Sequence, residues 1–161
     1  MFKRFMTLLF ATLIALTPVL VSGCAKNDAD RKADVTLEEL ANEIIASDEN
    51  YGTLFPLEDD YYVNSYGGST DSMEEHAFYE GFNISSVRVF LAKAKTEGDV
   101  AEIEKDFEAA RQSVEDIFST YLPEPYEMAK QGRVVTKGLY VMMVIGPDVD
   151  KAQQVFEGHI Q

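Results

Sequence analysis

The sequence predicts an α+β fold: a mainly antiparallel four-stranded sheet packed with helices, in the order α-ββ-α-ββ-α. Three observations predict it. Residues 86–95 and 139–145 are short apolar runs bounded by Gly, Asn and Pro, the pattern of strands. Asp99 to Tyr121 carries an apolar stripe at helical spacing opposite a charged face. Strand pairs then alternate with helical segments through to the C-terminus.

Thr36 opens the first helix. Thr36-Leu37-Glu38-Glu39 has the form of a capping box, in which hydroxyl and carboxylate satisfy each other's backbone amides. Leu37, Leu40, Ala41, Ile44 and Ile45 then fall on one face, and Asp48, Glu49 and Asn50 end the helix. Leu54, Phe55, Pro56 and Leu57 read as a buried connector. Residues 58–66 read as one or two helical turns, broken by Gly67-Gly68-Ser69.

Glu75 to Phe82 and Ser86 to Lys95 read as two strands around a turn at Asn83-Ile84-Ser85. In the second, Val87, Val89 and Leu91 alternate with Arg88, Phe90 and Ala92. The long helix follows, with Asp99 and Glu102 as its cap, and Val100, Ile103, Phe107, Ala110, Val114, Ile117, Phe118 and Tyr121 as its stripe. Pro123 and Pro125 are expected to stop it. Arg133–Thr136 and Leu139–Ile145 read as a hairpin around Lys137-Gly138. The second of these is apolar on both faces, which suits a central strand covered on both sides. Gly146-Pro147 ends it, and Asp148 caps a last helix carrying Val149, Ala152, Val155, Phe156 and Ile160. Residues 75–121 and 132–160 are thus two strand-strand-helix units, too dissimilar in sequence to form a repeat.

A leader precedes the domain. Lys3 and Arg4 form a positive start, Phe5 to Val21 is uncharged and mostly apolar, and Ser22 and Gly23 are small. Leu20-Val21-Ser22-Gly23-Cys24 resembles the lipobox of bacterial lipoproteins. That resemblance implies a signal-peptidase site between Gly23 and Cys24 and a diacylglycerol on the Cys24 thiol. It also implies a palmitate-type anchor on the extracytoplasmic face of the cell membrane. Two acyl tails, at roughly 0.8 kcal/mol per buried CH2, hold a protein stably. An ordinary cleaved signal peptide with an incidental cysteine, or an uncleaved anchor, are the alternative accounts. The expected organisation is 1–23 signal peptide, 24–35 lipidated cysteine and polar tether, and 36–161 a single domain. A flexible tether of that length spans roughly 15–20 Å.

Charge narrows the partners. The chain has 28 Asp+Glu against 14 Lys+Arg, a formal charge of −14, and losing Lys3 and Arg4 with the leader makes the remainder more negative still. That field repels nucleic acid and anionic surfaces. Cys24 is the one cysteine, so no disulfide framework exists and stability rests on the core.

Catalytic signatures are missing. There is no G-x-S-x-G, S-x-x-K or H-E-x-x-H and no EF-hand loop, and Gly67-Gly68-Ser69-Thr70 lacks the P-loop lysine. His159 lies in a helix tail expected to fray, and His76 beside Glu74 and Glu75 reads as a surface residue. The acidic groups Glu58-Asp59-Asp60 and Asp71, Glu74, Glu75 read as solvated loops. Tyr51, Phe55, Tyr61, Tyr62 and Tyr66 are a local concentration of aromatics. Exposed, they suit a sugar face or a protein partner; buried, they order a loop.

The lipobox and tether, Tyr66-Gly67, the helix end Tyr121-Leu122-Pro123 and Val134-Val135-Thr136-Lys137-Gly138-Leu139-Tyr140-Val141 together resemble a family of small Gram-positive lipoproteins built on an uncharacterised domain. The resemblance implies the architecture and the location, and no cofactor or catalytic residue. The expected function is a non-enzymatic binding or accessory module of the cell envelope. Its partner would be an envelope protein, peptide or glycan, and it would have no metal or cofactor. The alternatives are an envelope hydrolase using two carboxylates, and a weak calcium- or small-ligand-binding module.

Overall fold

The computed structural model describes residues 30–161 apart from Asn83 and Tyr121. Gly23, Cys24 and the expected leader lie outside the described residues. So do the expected helix end at Tyr121 and the turn residue Asn83. The elements run α1 (Leu37–Ala46), a 3-10 turn (Glu49–Tyr51), β1 (Leu54–Pro56), α2 (Asp59–Tyr66), β2 (Met73–Gly81), β3 (Arg88–Ala94), α3 (Glu97–Phe118), α4 (Pro123–Lys130), β4 (Arg133–Lys137), β5 (Tyr140–Ile145) and α5 (Val149–His159).

The capping box forms: Glu39 N donates to Thr36 Oγ1 at 3.2 Å and Thr36 N to Glu39 Oε2 at 3.0 Å. Glu75 Oε1, on β2, accepts from Leu37 N at 2.8 Å. A carboxylate thus meets the positive end of the α1 dipole and ties the helix to the sheet. α2 closes at Gly67, whose φ of +71° is the left-handed end that glycine adopts without strain. Asp148 caps α5, accepting from Lys151 N at 2.9 Å.

The sheet has the order β1-β2-β3-β5-β4, antiparallel throughout. Among the described residues it has five strands, one more than expected. Leu54 to Pro56 is an edge strand against β2, not a buried connector, and Phe55 and Pro56 are exposed. Proline is tolerated there because an edge strand leaves one row of backbone groups unpaired. β5 is buried at every position, as its unbroken apolar run predicts.

Helices cover both faces. α1 and α5 pack on one face, burying Leu40, Ile44, Leu91, Met142 and Phe156. α2, α3 and α4 pack on the other, where Tyr62, Phe78, Phe90 and Phe107 interlock; Tyr62 and Phe78 stack with centroids 4.2 Å apart.

Three expectations change. α3 starts at Glu97, with Thr96 at its N-cap. Asp99 instead accepts from the Thr96 hydroxyl at 2.7 Å, and Glu102 accepts from Ser72 Oγ at 2.6 Å. Ile117, expected in the stripe, is exposed. α3 ends at Phe118 with Ser119 at its C-cap, ahead of Pro123 and Pro125, which begin α4 instead, since first-turn residues of a helix need no intrahelical amide donor.

The last part of the expected tether docks on the domain. Lys32 and Gln161 exchange backbone hydrogen bonds at 2.9 and 3.0 Å, Asp34 N donates to His159 O, and Ala33 N donates to Tyr140 Oη at 3.0 Å. Ala33 and Val35 pack against the α1–α5 core. His159 is accordingly held rather than frayed, with Nδ1 at 2.6 Å from Asp34 and Nε2 at 2.9 Å from Glu43.

Two predictions follow from this packing. Hydrogen bonding to Asp34, then to Glu43, raises the His159 pKa above its ordinary 6.5, against desolvation. A raised folded-state pKa stabilises fully below the unfolded value and loses that stabilisation as pH rises through the folded one. The melting-temperature difference between wild type and His159→Asn should therefore be largest near pH ~5–6 and shrink toward pH ~8–9. Tyr62 is fully buried, and among the described residues its hydroxyl has no hydrogen-bond partner. Tyr62→Phe should be neutral or stabilising by about 1 kcal/mol, and Tyr62→Ala should cost about 3–5 kcal/mol, by denaturant unfolding.

Candidate functional site

Register assembles a row of side chains across three strands. Phe55 on β1 pairs with Glu80 on β2, and Glu80 pairs with Arg88 on β3. Period-two alternation sets Glu80 on the face of Phe78 and Arg88 on the face of Phe90. The row therefore extends the aromatic core outward to the sheet edge. Tyr66, from the end of α2, packs edge-on against Phe90 at 5.1 Å, which brings its hydroxyl to the same row.

The polar groups form a relay. Arg88 Nε donates to Tyr66 Oη at 2.6 Å, and Tyr66 Oη donates to Glu80 Oε2 at 2.7 Å. Arg88 Nε lies 3.4 Å from the same Glu80 oxygen. Arg88 Nη1 donates to the carbonyls of Ser85 and Val87 at 2.9 and 2.7 Å, and only 8% of Arg88 is exposed. Burial raises the Tyr66 pKa well above the usual phenol range; Arg88 opposes this and Glu80 adds to it. Tyr66 therefore remains a donor at neutral pH. Within this relay two polar atoms have no hydrogen-bond partner among the described residues: Glu80 Oε1, an acceptor, and Arg88 Nη2, a donor.

Around these residues lies a cavity of about 410 Å³ lined by Phe55, Tyr61, Glu80, Gly81, Phe82 and Arg88. Phe55 is 47% exposed, Tyr61 49% and Phe82 67%. Phe55 and Phe82 meet edge to face with centroids 5.8 Å apart.

The five sequence-predicted aromatics divide accordingly. Phe55 and Tyr61 line the cavity and Tyr66 braces its charged pair. Tyr62 belongs to the core behind it. Tyr51 is buried in the α1–α5 core on the opposite face, where burial, then Asp148 and Asp48, raise its pKa. Phe82, Glu80 and Arg88 were not expected at a site. Their signals were a lone arginine within the apolar run Val87 to Leu91 and an acid at its cross-strand position.

Elsewhere the chemistry is dispersed. His76 Nε2 lies 2.8 Å from Asp59 and its ring stacks on Phe78, but no serine, threonine or cysteine lines the cavity beside it. Glu74 pairs with Lys93 at 2.7 Å, while Glu75 caps α1. Among the described residues no group of three His, Cys, Asp or Glu side chains is placed to hold a metal ion, and no helix is long and apolar enough to cross a membrane. A second groove of about 400 Å³ runs between α4 and the loops at 50–53 and 82–87, with Glu124 and Met128 on its wall.

Residues 46–146 match the family described as a domain of unknown function, DUF4358. No curated protein and no solved structure matches the chain.

The cavity separates stability from surface chemistry in a measurable way. Arg88→Met strands Glu80 and Tyr66 in a mostly buried setting and should cost ~1–3 kcal/mol of unfolding free energy. Phe55→Ala and Tyr61→Ala, at half-exposed positions, should each change it by only about 0.5 kcal/mol.

Proposed function

The chain belongs to the DUF4358 family, and from that premise we propose that it is a lipid-anchored, non-enzymatic binding module on the extracytoplasmic face of a Gram-positive cell membrane. Cys24 carries the diacylglycerol anchor, and the cavity of Phe55, Tyr61 and Phe82 takes an envelope ligand. The observation that carries the binding half is the coincidence of three exposed rings with an unused acceptor and an unused donor on Glu80 and Arg88. Aromatic walls with a few placed polar groups are the usual make-up of a small-molecule site. The anchor half rests on the lipobox residues 20–24.

A hydrolase working through two carboxylates needs a desolvated general acid facing the second carboxylate. The aromatic cavity has one carboxylate, Glu80, in its lining. Glu124 and Glu127 share a neighbouring groove, yet both are exposed and Lys130 holds Glu127 at 2.7 Å. These features favour binding over catalysis.

Each half has its own test. Metabolic palmitate should label the wild type and not Cys24→Ala, and the variant should run larger because its leader is retained. Labelling of neither form overturns the anchor. For the binding half, full-length protein is sedimented with protein-stripped envelope material. Phe55→Ala combined with Tyr61→Ala should lower the bound fraction roughly tenfold while the melting temperature shifts by only about 5 °C. An unchanged bound fraction removes the aromatic cavity as the site.

A further inference from the structure

We propose that the ligand of the aromatic cavity is a neutral saccharide, its adjacent hydroxyls bridging Glu80 Oε1 and Arg88 Nη2 and its ring face lying on Phe55 and Tyr61. This rests on the binding-module function above and narrows its ligand class.

Charge comes first. Glu80 and Arg88 cancel, so the polar floor offers no net attraction to an ion. The chain as a whole, at −14, repels anions. A cation would be drawn by the chain's charge but would meet the Arg88 guanidinium at the floor, so a neutral ligand is the one both features admit.

Hydrogen bonding comes second. The unused atoms are one acceptor and one donor, on residues directly paired across β2 and β3. A group that donates and accepts from neighbouring atoms satisfies both at once, and a vicinal diol does so. Tyr66 and the carbonyls of Ser85 and Val87 hold the other atoms of the pair in place, so little side-chain freedom is lost on binding.

The walls come third. Sugars present flat C–H faces that pack on aromatic rings. Phe55 and Tyr61 keep about half their surface exposed on a cavity of about 410 Å³, a volume within the range of small-molecule sites.

A peptide also offers donor–acceptor pairs, but its usual route onto a sheet edge is strand addition. The edge here is β1, three residues long and ending in Pro56, which has no amide hydrogen to give. That is too short a ladder for a peptide strand.

The test is calorimetric titration of the full-length protein, in a detergent whose head group carries no sugar, with fully N-acetylated chitotetraose, an uncharged oligomer whose terminal ring has adjacent hydroxyls, and separately with tetra-alanine. Chitotetraose is expected to bind and tetra-alanine is not. Tyr61→Ala, at an exposed helix position, should weaken chitotetraose roughly tenfold. Glu80→Gln should do the same. With the Tyr66 hydroxyl bonded to the amide oxygen, the amide nitrogen faces the ligand and the free acceptor becomes a donor. Binding of tetra-alanine with loss in Tyr61→Ala would replace the saccharide by a peptide and leave the binding module intact. No binding of chitotetraose, or binding unchanged in both variants, overturns the saccharide. Sedimentation with envelope material then tells whether the broader function survives.

Discussion

The structure depends on the burial of β3 and β5 on both faces. All six residues of β5 are buried, and in β3 only Lys93 is not. A strand apolar on both sides must be covered on both sides. The chain therefore supplies two helical layers: α1 and α5, from the two ends of the domain, close one face, while α2, α3 and α4, from its middle, close the other. The topology follows the same requirement. β4 and β5 form a hairpin, yet β5 rather than β4 lies beside β3, which leaves the half-buried strand β4 at the edge. At the opposite edge β1 is short and ends in proline, a means of blunting an exposed sheet margin.

Within that frame the Glu80–Arg88–Tyr66 relay needs a different explanation. Desolvating a charged pair roughly cancels its attraction, and apolar residues of similar size serve stability as well or better. Phe78 and Phe90, one alternation inward on the same strands and face, show that this face accepts such residues. Stability alone does not account for Glu80 and Arg88. The unused acceptor and donor, facing an aromatic-lined cavity, give the pair something to do that a leucine or phenylalanine would not.

Much of the fold was legible in sequence because its signals are local. The Thr36 box, the hairpin at Gly138 and the apolar run of β5 each declare themselves within a few residues. β1 did not, because three residues with a proline become a strand only when β2 lies alongside. α4 did not, because Pro123 and Pro125 are equally good stops for one helix and starts for the next. The site was half legible. The aromatic cluster drew attention to residues 51–66, but helix phase and sheet face decide exposure. Tyr61 and Tyr62 are neighbours in sequence, and one is 49% exposed while the other is fully buried. Glu80 and Arg88 meet through strand register, and pairing across a hairpin with an irregular turn is not written in either strand alone.

The fold is also polar along its strands, and the aromatic cavity and the docked N-terminal segment lie at opposite ends. Arg88 pairs with Ile145 at one end of β3 and β5, and Lys93 pairs with Tyr140 at the other. Five residue steps separate these pairs, about 17 Å. The aromatic cavity is at the Arg88 end. The N-terminal segment docks at the Tyr140 end, where Ala33 meets the Tyr140 hydroxyl and Lys32 pairs with Gln161. α5 makes the connection, leaving the cavity end after Gly146 and returning to His159 beside Asp34. With Cys24 in a membrane, the chain would rise into the domain at the near end and the cavity would open at the far end. Docking of residues 32–35 would then set that end of the sheet toward the lipid. The acidic charge of the chain disfavours tipping the sheet onto an anionic surface. On the proposed anchor, the cavity would thus be carried away from the membrane, toward a ligand in the envelope outside it rather than toward the lipid.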